Sequence, residues 1–299
     1  MRRPLLGALL LLVAAVVWGF AFVPQKLTVV ALPPLLATAV RFALAAPLAV
    51  VVAGRRLRTP GVGWHVPVAL GVILFLAYAT QTAALALAPV ARVSLITGLY
   101  AVFVPLLAPF FGLPRPERLH WAGAAVALAG LLMLVGVVGG DALSAPLNAG
   151  DLLVLVHAIL GALQVLTVAR VARRADPFAL NALQLSVLLL LAAPLALLVD
   201  EVGALGAVDA RTWWAFAYLS VLSTVVAFTS QIFGQRHASA PAAAVIMLLE
   251  TPIGVLGALW FFDEAMAATQ WLGAAVLVVG VALSLSAELR RAGGAPAAV

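Results

Sequence analysis

Trp121-Ala-Gly-Ala-Ala-Val126 with Gly130 returns 150 positions later as Trp271-Leu-Gly-Ala-Ala-Val276 with Gly280. The same offset relates Ala77-Tyr78 and Gln81 to Ala227-Phe228 and Gln231. An offset of 147 relates Ala45-Ala46-Pro47-Leu48-Ala49 to Ala192-Ala193-Pro194-Leu195-Ala196. A chain written twice folds as two similar halves, and duplicated membrane bundles usually place a transport site on the axis relating the copies.

The repeated unit is apolar. Hydrophobic residues make up 65% of the chain and charged ones 9%, where a soluble domain carries about a quarter charged. Apolar runs cover roughly 4–25, 33–53, 65–87, 91–112, 119–138, 149–170, 178–199, 212–235, 240–262 and 269–287. Each is long enough for a helix across a ~30 Å hydrocarbon layer. The expectation is an all-α membrane protein of ten transmembrane helices, called spans 1 to 10 below. Residues 1–140 and 141–299 form its two five-helix repeats around a central cavity. The loops leave no room for a soluble domain. Met1-Arg-Arg before an apolar run resembles a signal peptide. The run continues to about Val23 without an Ala-x-Ala site, however, and the second repeat needs a counterpart for it. It is read as span 1.

The formal net charge of +6 is explained by position. With the N-terminus in the cytoplasm, Arg2, Arg3, Arg55, Arg56, Arg58, Arg115, Arg118, Arg170, Arg173, Arg174, Arg236, Arg290 and Arg291 fall inside. Lys26, Arg92 and Arg211 fall outside, and Arg41 lies within a span. This is the positive-inside pattern, with both termini cytoplasmic, and not a nucleic-acid footprint. Asp141, Asp151, Asp200, Glu201, Asp209, Asp263 and Glu264 lie on the other side. Five spans per repeat is an odd number, so the second repeat enters the membrane upside down. Trp64 and Trp121 fall at inner boundaries, and Trp213, Trp214, Trp260 and Trp271 at outer ones, as an aromatic belt. Trp18 alone lies deep within a span. The chain has no cysteine, which excludes disulfides and thiol chemistry.

Trp18-Gly19-Phe20-Ala21-Phe22-Val23-Pro24-Gln25-Lys26 resembles the first-helix signature of the EamA-type drug/metabolite transporters. Arg41-Phe42-Ala43-Leu44-Ala45-Ala46 resembles their second-helix motif. Glu250-Thr251-Pro252, with the Gly-Ala-Ala segment of the last run, resembles their second-half pattern. The resemblance implies ten helices in two repeats and export of small metabolites, amino acids or drugs through an alternately opening cavity. Within the family the chain is most similar to bacterial exporters of aromatic amino acids. One departure is Tyr100, which stands where the 150-residue offset would match Glu250; Pro105 and Pro109 are likewise displaced from Pro252.

Polar side chains are costly in a bilayer, so their helical faces are informative. Tyr78, Gln81 and Thr82 share a face of span 3; Ser94, Thr97, Gly98 and Ala101 share one of span 4, with Tyr100 beside it. His157, Gly161 and Gln164 align on span 6. Ser220, Ser223, Thr224, Ala227 and Gln231 form a stripe on span 8, and Met247, Glu250, Gly254 and Gly257 another on span 9. Such stripes serve either close helix packing or a cavity wall. The substrate-binding candidates are Trp18, Tyr78, Gln81, Thr97, Tyr100, His157, Gln164, Phe228, Gln231 and Glu250. Arg41 needs a partner within the bilayer: a carbonyl cluster, Glu250 or a substrate carboxylate. Glu250, the one acid expected within a span, is protonated, pairs with Arg41 or faces a wet cavity. Lys26 is read as snorkelling to the outer surface. Pro105 and Pro252 interrupt spans 4 and 9 and are read with Arg41 as structural or gating residues. Gly123, Gly130, Gly273 and Gly280 are assigned to packing.

The four histidines are scattered over different spans, no HExxH-like or paired-carboxylate motif occurs, and there is no Gly-rich phosphate loop. The expectation is a multi-pass carrier of the bacterial inner membrane, not an enzyme, without cofactor or metal. Its partners are a small-molecule substrate, either an amino acid or an amphipathic metabolite, and membrane lipid. A bundle with its own pathway can work as a monomer, and the sequence leaves the oligomeric state open. With one acid and one histidine in the path, facilitated efflux is favoured over proton-coupled multidrug efflux.

Overall fold

A computed structural model of the chain describes residues 2–88, 90–134, 148–254 and 267–294. The expected boundary at 140/141 and Asp141, Gly257, Trp260, Asp263 and Glu264 lie outside them. Among the described residues there is no strand. Among these residues seven helices are long and apolar enough to cross a membrane: Leu5–Ala31, Pro34–Arg58, His65–Leu87, Ala149–Val171, Pro177–Val199, Ala210–Gln235 and Ala268–Ala287. Three shorter apolar helices, Ile96–Phe111, Arg118–Leu134 and Ala240–Gly254, stand where spans 4, 5 and 9 were expected.

Equivalent spans of the two repeats pack against each other in opposite directions. A Cβ on Gly123 would lie 2.8 Å from the Gly280 carbonyl, and one on Gly273 would lie 2.7 Å from the Gly130 carbonyl. Spans 5 and 10 therefore cross antiparallel, backbone on backbone. Only glycine permits this approach, as small residues do between membrane helices. Spans 2 and 7 do the same. Asp200, just beyond span 7, accepts the Leu36 N–H at the start of span 2 at 2.7 Å. At the other end the Asp176 N–H donates to the Pro60 carbonyl at 2.9 Å. Between these two crossings span 3 packs on span 6 and span 8 on span 1. The axis of the inverted repeat thus runs through the middle of the bundle.

Helix ends follow local chemistry. Asn148 and Asp151 form a reciprocal capping box at the start of span 6. Asp176 caps span 7 through Phe178 and Ala179. Span 1 runs to Ala31, beyond the expected end. Lys26 consequently does not simply reach for solvent: its Nζ donates to the Leu85 carbonyl at 2.6 Å, in the last turn of span 3. A cation there satisfies an orphan carbonyl and complements the helix dipole. The surface toward lipid is apolar, with Val51, Phe110, Leu190 and Leu198 exposed. Trp64, Trp121, Trp213, Trp214 and Trp271 are exposed as well.

Among the described residues, three spans depart from plain α-helix in their interior, and span 2 ends in a 3₁₀ turn, Gly54–Arg58. Span 4 divides into Val90–Gly98 and Tyr100–Leu107, and ends in a 3₁₀ turn, Ala108–Phe111. Span 9 divides after Ala240–Met247, and helix resumes at Glu250. The breaks are equivalent: Leu99 N–H bonds the Ile96 carbonyl at 3.1 Å, and Leu249 N–H bonds the Ile246 carbonyl at 3.2 Å. Neither break is at a proline. Pro252 faces the Leu248 carbonyl, which Thr251 N–H occupies instead at 3.1 Å. Pro105 lies within Tyr100–Leu107, downstream of its break. The third departure is a π-helical stretch, Leu219–Val226, within span 8. π-Helical turns inside α-helices are frequent at functional sites.

Candidate functional site

A cavity of about 110 Å³ opens at the centre of the bundle, walled by spans 1, 2, 3, 4, 6, 8 and 9. The ten substrate-binding candidates, from Trp18 and Tyr78 to Gln231 and Glu250, all line it, and Arg41 lines it with them. Pro105 and Pro252 are buried in spans 4 and 9 and do not.

Two pairs of amides hold the cavity. Gln25 Nε2 donates to Gln81 Oε1 at 3.2 Å, joining span 1 to span 3. Gln164 and Gln231 join span 6 to span 8 by two bonds of 3.2 and 2.9 Å, each amide donating to the other. Gln81 and Gln231 are related by the 150-residue offset. Gln25 and Gln164 each stand seven residues after an aromatic ring that anchors its span to a backbone carbonyl. Trp18 Nε1–H donates to the Ser223 carbonyl at 2.8 Å, and His157 Nδ1–H donates to the Ala77 carbonyl at 2.9 Å. The start of span 6 packs on the end of span 3, since a Cβ on Gly150 would meet Leu87 Cβ at 3.1 Å. The spans are antiparallel, so the pairs lie toward opposite ends of the cavity. At 1.5 Å rise per residue, the seven positions from His157 to Gln164 separate them by about 10 Å.

The first pair carries an addition. Gln81 Nε2 lies 3.2 Å from His157 Nε2. A carbonyl only accepts, so His157 Nδ1 holds the proton, and its Nε2 accepts from Gln81. Protonating Nε2 would set donor against donor and require Gln81, then Gln25, to turn over.

Arg41 is 4% exposed and bonds to hydroxyls. Its Nε donates to Thr224 Oγ1 at 2.9 Å, and one Nη donates to Ser223 Oγ at 3.0 Å and Tyr78 Oη at 3.3 Å. Its guanidinium also lies 4.6 Å from the Tyr78 ring centroid and 5.5 Å from that of Phe42. Cation–π attraction strengthens on desolvation. No described carboxylate lies within 4.0 Å of it, so pairing with Glu250 is ruled out in this arrangement. The π-helical stretch positions the hydroxyls: Ser220 Oγ donates to the Arg41 carbonyl at 2.9 Å, and Thr224 Oγ1 donates to Leu219 at 2.8 Å. Trp18, Tyr78 and Phe228 form an aromatic wall beside it, with edge-to-face centroid distances of 5.1 and 6.3 Å.

Elsewhere on the cavity wall polar groups are unanswered. Thr97 Oγ1 and Tyr100 Oη are buried without a hydrogen-bond partner among the described residues. Glu250 is 7% exposed and lines the cavity, and no described residue bonds or pairs with its carboxylate. Buried polar groups are ordinarily satisfied, so such groups at a cavity mark what the protein leaves for a guest.

These repeats have a recognised pattern. The sequence pattern of the EamA-like transporter family matches residues 5–136 and again 148–286. The chain belongs to the EamA-like transporter family. It is 26% identical over 284 residues to an uncharacterized transporter of Archaeoglobus fulgidus, covering 94% of this chain and 97% of that protein. A protein of known crystal structure has the same fold, with a TM-score of 0.79 at 22% identity, over 95% of this chain and 98% of its own. The EamA-like chain is accordingly an integral, multi-pass membrane transporter.

Gln25 and Phe22 line the cavity of this EamA-like protein as well, without having been named as cavity residues, and Ser223 and Met247 line it from the stripes of spans 8 and 9. Gln25 carried a signal. It follows Trp18 by the interval that separates Gln164 from His157, but at an offset of 139 instead of 150. Unequal loops hide that correspondence from a fixed-offset comparison.

Proposed function

We propose that this transporter exports small amphipathic zwitterions, neutral and aromatic amino acids above all, from the bacterial cytoplasm by facilitated alternating access. The observation that carries this reading is the composition of the central cavity. A buried guanidinium and a buried carboxylate face the same space without pairing with each other, beside an aromatic wall. A guest with both charges and an apolar body satisfies all three. Each half of the pathway carries one amide pair, and in this reading release to either side has one pair part while the other holds. The cavity of about 110 Å³ is smaller than the engineered ~150 Å³ cavity that holds benzene. An aromatic guest therefore enters only with such an opening.

Facilitation is favoured over proton coupling because Glu250 is the only acid among the described residues that line the cavity. Counterflow in proteoliposomes against amino acids, nucleosides and organic cations tests the reading. Phenylalanine exchange is expected, with a rate independent of an imposed pH gradient. A rate that follows the proton gradient and is lost in Glu250→Gln supports the coupled alternative. The arginine-rich face, carrying Arg55, Arg58, Arg115, Arg170 and Arg173, is assigned to the cytoplasm by the positive-inside rule. The chain has no native cysteine, so single introduced cysteines and impermeant labels read this orientation directly.

A further inference from the structure

Thr97, Tyr100 and Glu250 stand on two helix breaks that touch. A Cβ on Gly98 would lie 2.8 Å from Leu248 Cδ1, so the break of span 4 abuts the break of span 9. Thr97 and Tyr100 flank Gly98, and Glu250 begins the helix two residues beyond Leu248. All three line the cavity. Thr97 Oγ1 and Tyr100 Oη are buried without hydrogen-bond partners among the described residues, and no described residue pairs with the Glu250 carboxylate, whereas Nε and one Nη of Arg41 are engaged by Thr224, Ser223 and Tyr78.

We infer that Thr97 Oγ1, Tyr100 Oη and the Glu250 carboxylate form a subsite for a primary ammonium group. The inference rests on the transport reading above for its substrate and deepens it. A primary ammonium offers three N–H donors and no acceptor. Two hydroxyl oxygens and one carboxylate supply three acceptors and a compensating charge. The tyrosine ring beside them attracts a cation as well. Neutral amides already satisfy the two ends of the cavity, so the break region is where positive charge is recognised. Helix breaks in a bilayer persist where irregular backbone lines a cavity, as it does here. Because the repeats place Tyr100 and Glu250 at equivalent positions, duplication supplied the geometry and divergence supplied the charge. A group without N–H donors, such as a trimethylammonium, or a neutral acylated nitrogen leaves these oxygens unsatisfied and is rejected.

The test uses phenylalanine and its single-pole relatives on the full chain. Phenylalanine counterflow in proteoliposomes is challenged with phenethylamine, 3-phenylpropionate, N-acetylphenylalanine and the N,N,N-trimethyl derivative of phenylalanine. In parallel, equilibrium binding of phenethylamine to detergent-solubilised protein is read by tryptophan fluorescence and by calorimetry. Phenethylamine is expected to compete at least tenfold better than the other three. Its binding is expected to weaken at least tenfold in Glu250→Gln and about threefold in Tyr100→Phe and in Thr97→Val. Tyr100→Phe removes one oxygen from a buried ring and keeps the falsification open if Glu250→Gln does not fold. Equal competition by 3-phenylpropionate or N-acetylphenylalanine overturns the subsite, as does unchanged phenethylamine binding in folded Glu250→Gln. A strict requirement for sodium, with no preference for amines, overturns it too by making the three oxygens part of a cation site. The two readings fail separately. Amine-selective binding without counterflow sinks transport and keeps the subsite, whereas counterflow without amine preference keeps transport and sinks the subsite.

Discussion

The two halves of the bundle share a frame and differ in what they hang on it. In both, an aromatic ring on the first span anchors to a carbonyl, and an amide seven residues on pairs with a second amide at one end of the cavity. Both break their fourth span with the same three-residue hydrogen bond. Yet the first half supplies Arg41 and Tyr100, and the second His157 and Glu250; the residue 147 after Arg41 is a buried leucine, Leu188. Symmetric backbone gives a carrier two equivalent ways to open. Asymmetric charge gives the cavity poles, so that it recognises a guest with a head and a tail. Backbone symmetry survives because packing at spans 5 and 10 tolerates nothing larger than glycine. Side chains facing the cavity have no such constraint and diverge.

The strongest test of the shared frame lies at that packing. Gly130→Val and Gly273→Val each force a side chain onto the other repeat's backbone, which cannot move aside. Each is expected to cost about 3 kcal/mol or more, with loss of monodisperse protein on gel filtration. Tolerance of one and not the other would break the symmetry. Next is the contrast in charge. Arg41→Met is expected to lower amino-acid counterflow at least about tenfold, roughly 1.4 kcal/mol. Leu188→Met at the matching place changes it less than about twofold. A similar loss in both would mean that Arg41 acts through packing alone.

A smaller effect separates the two closures. Gln81→Leu and Gln231→Leu each remove an amide pair at one end, and one hydrogen bond is worth about 1 kcal/mol. About fivefold faster labelling is expected at Phe22→Cys from one face for the first variant, and at Val165→Cys from the opposite face for the second. Labelling enhanced from the same face in both would refute opposite closures. The least effect concerns the helix starts. Span 8 is capped by Asp209, whose carboxylate accepts from Thr212 N–H at 2.8 Å, whereas the start of span 3 has no side-chain cap. Bonding from the Thr212 side chain and backbone holds the Asp209 pKa below the ordinary carboxylate value. Its stabilisation is therefore present above that ordinary value and lost as pH falls through the lowered one. Thermal midpoints of wild type and Asp209→Asn should differ slightly at neutral pH and converge in acid.

Much of the cavity wall was legible because helical spacing is a strict rule. Residues three, four and seven apart share a face, so Tyr78 with Gln81, or His157 with Gln164, had to point together. Which faces met was not legible. The stripe on span 8 predicted small and polar contacts, but not that Ser223 and Thr224 would hold Arg41, since that depends on a π-helical turn setting their direction. The prolines marked spans 4 and 9 as irregular, yet the breaks formed upstream, where tightened hydrogen bonds and Gly98 let the two helices touch.

The sequence alone determined that this chain is a duplicated, apolar helical bundle, because run length, charge placement and a repeat of five spans are properties read along the chain. Only the tertiary structure decided which polar groups find partners and which do not. Arg41 is satisfied by hydroxyls from span 8 and a phenol from span 3, while Glu250 is left facing the cavity, because hydrogen bonding depends on distances across the bundle that no one-dimensional pattern contains.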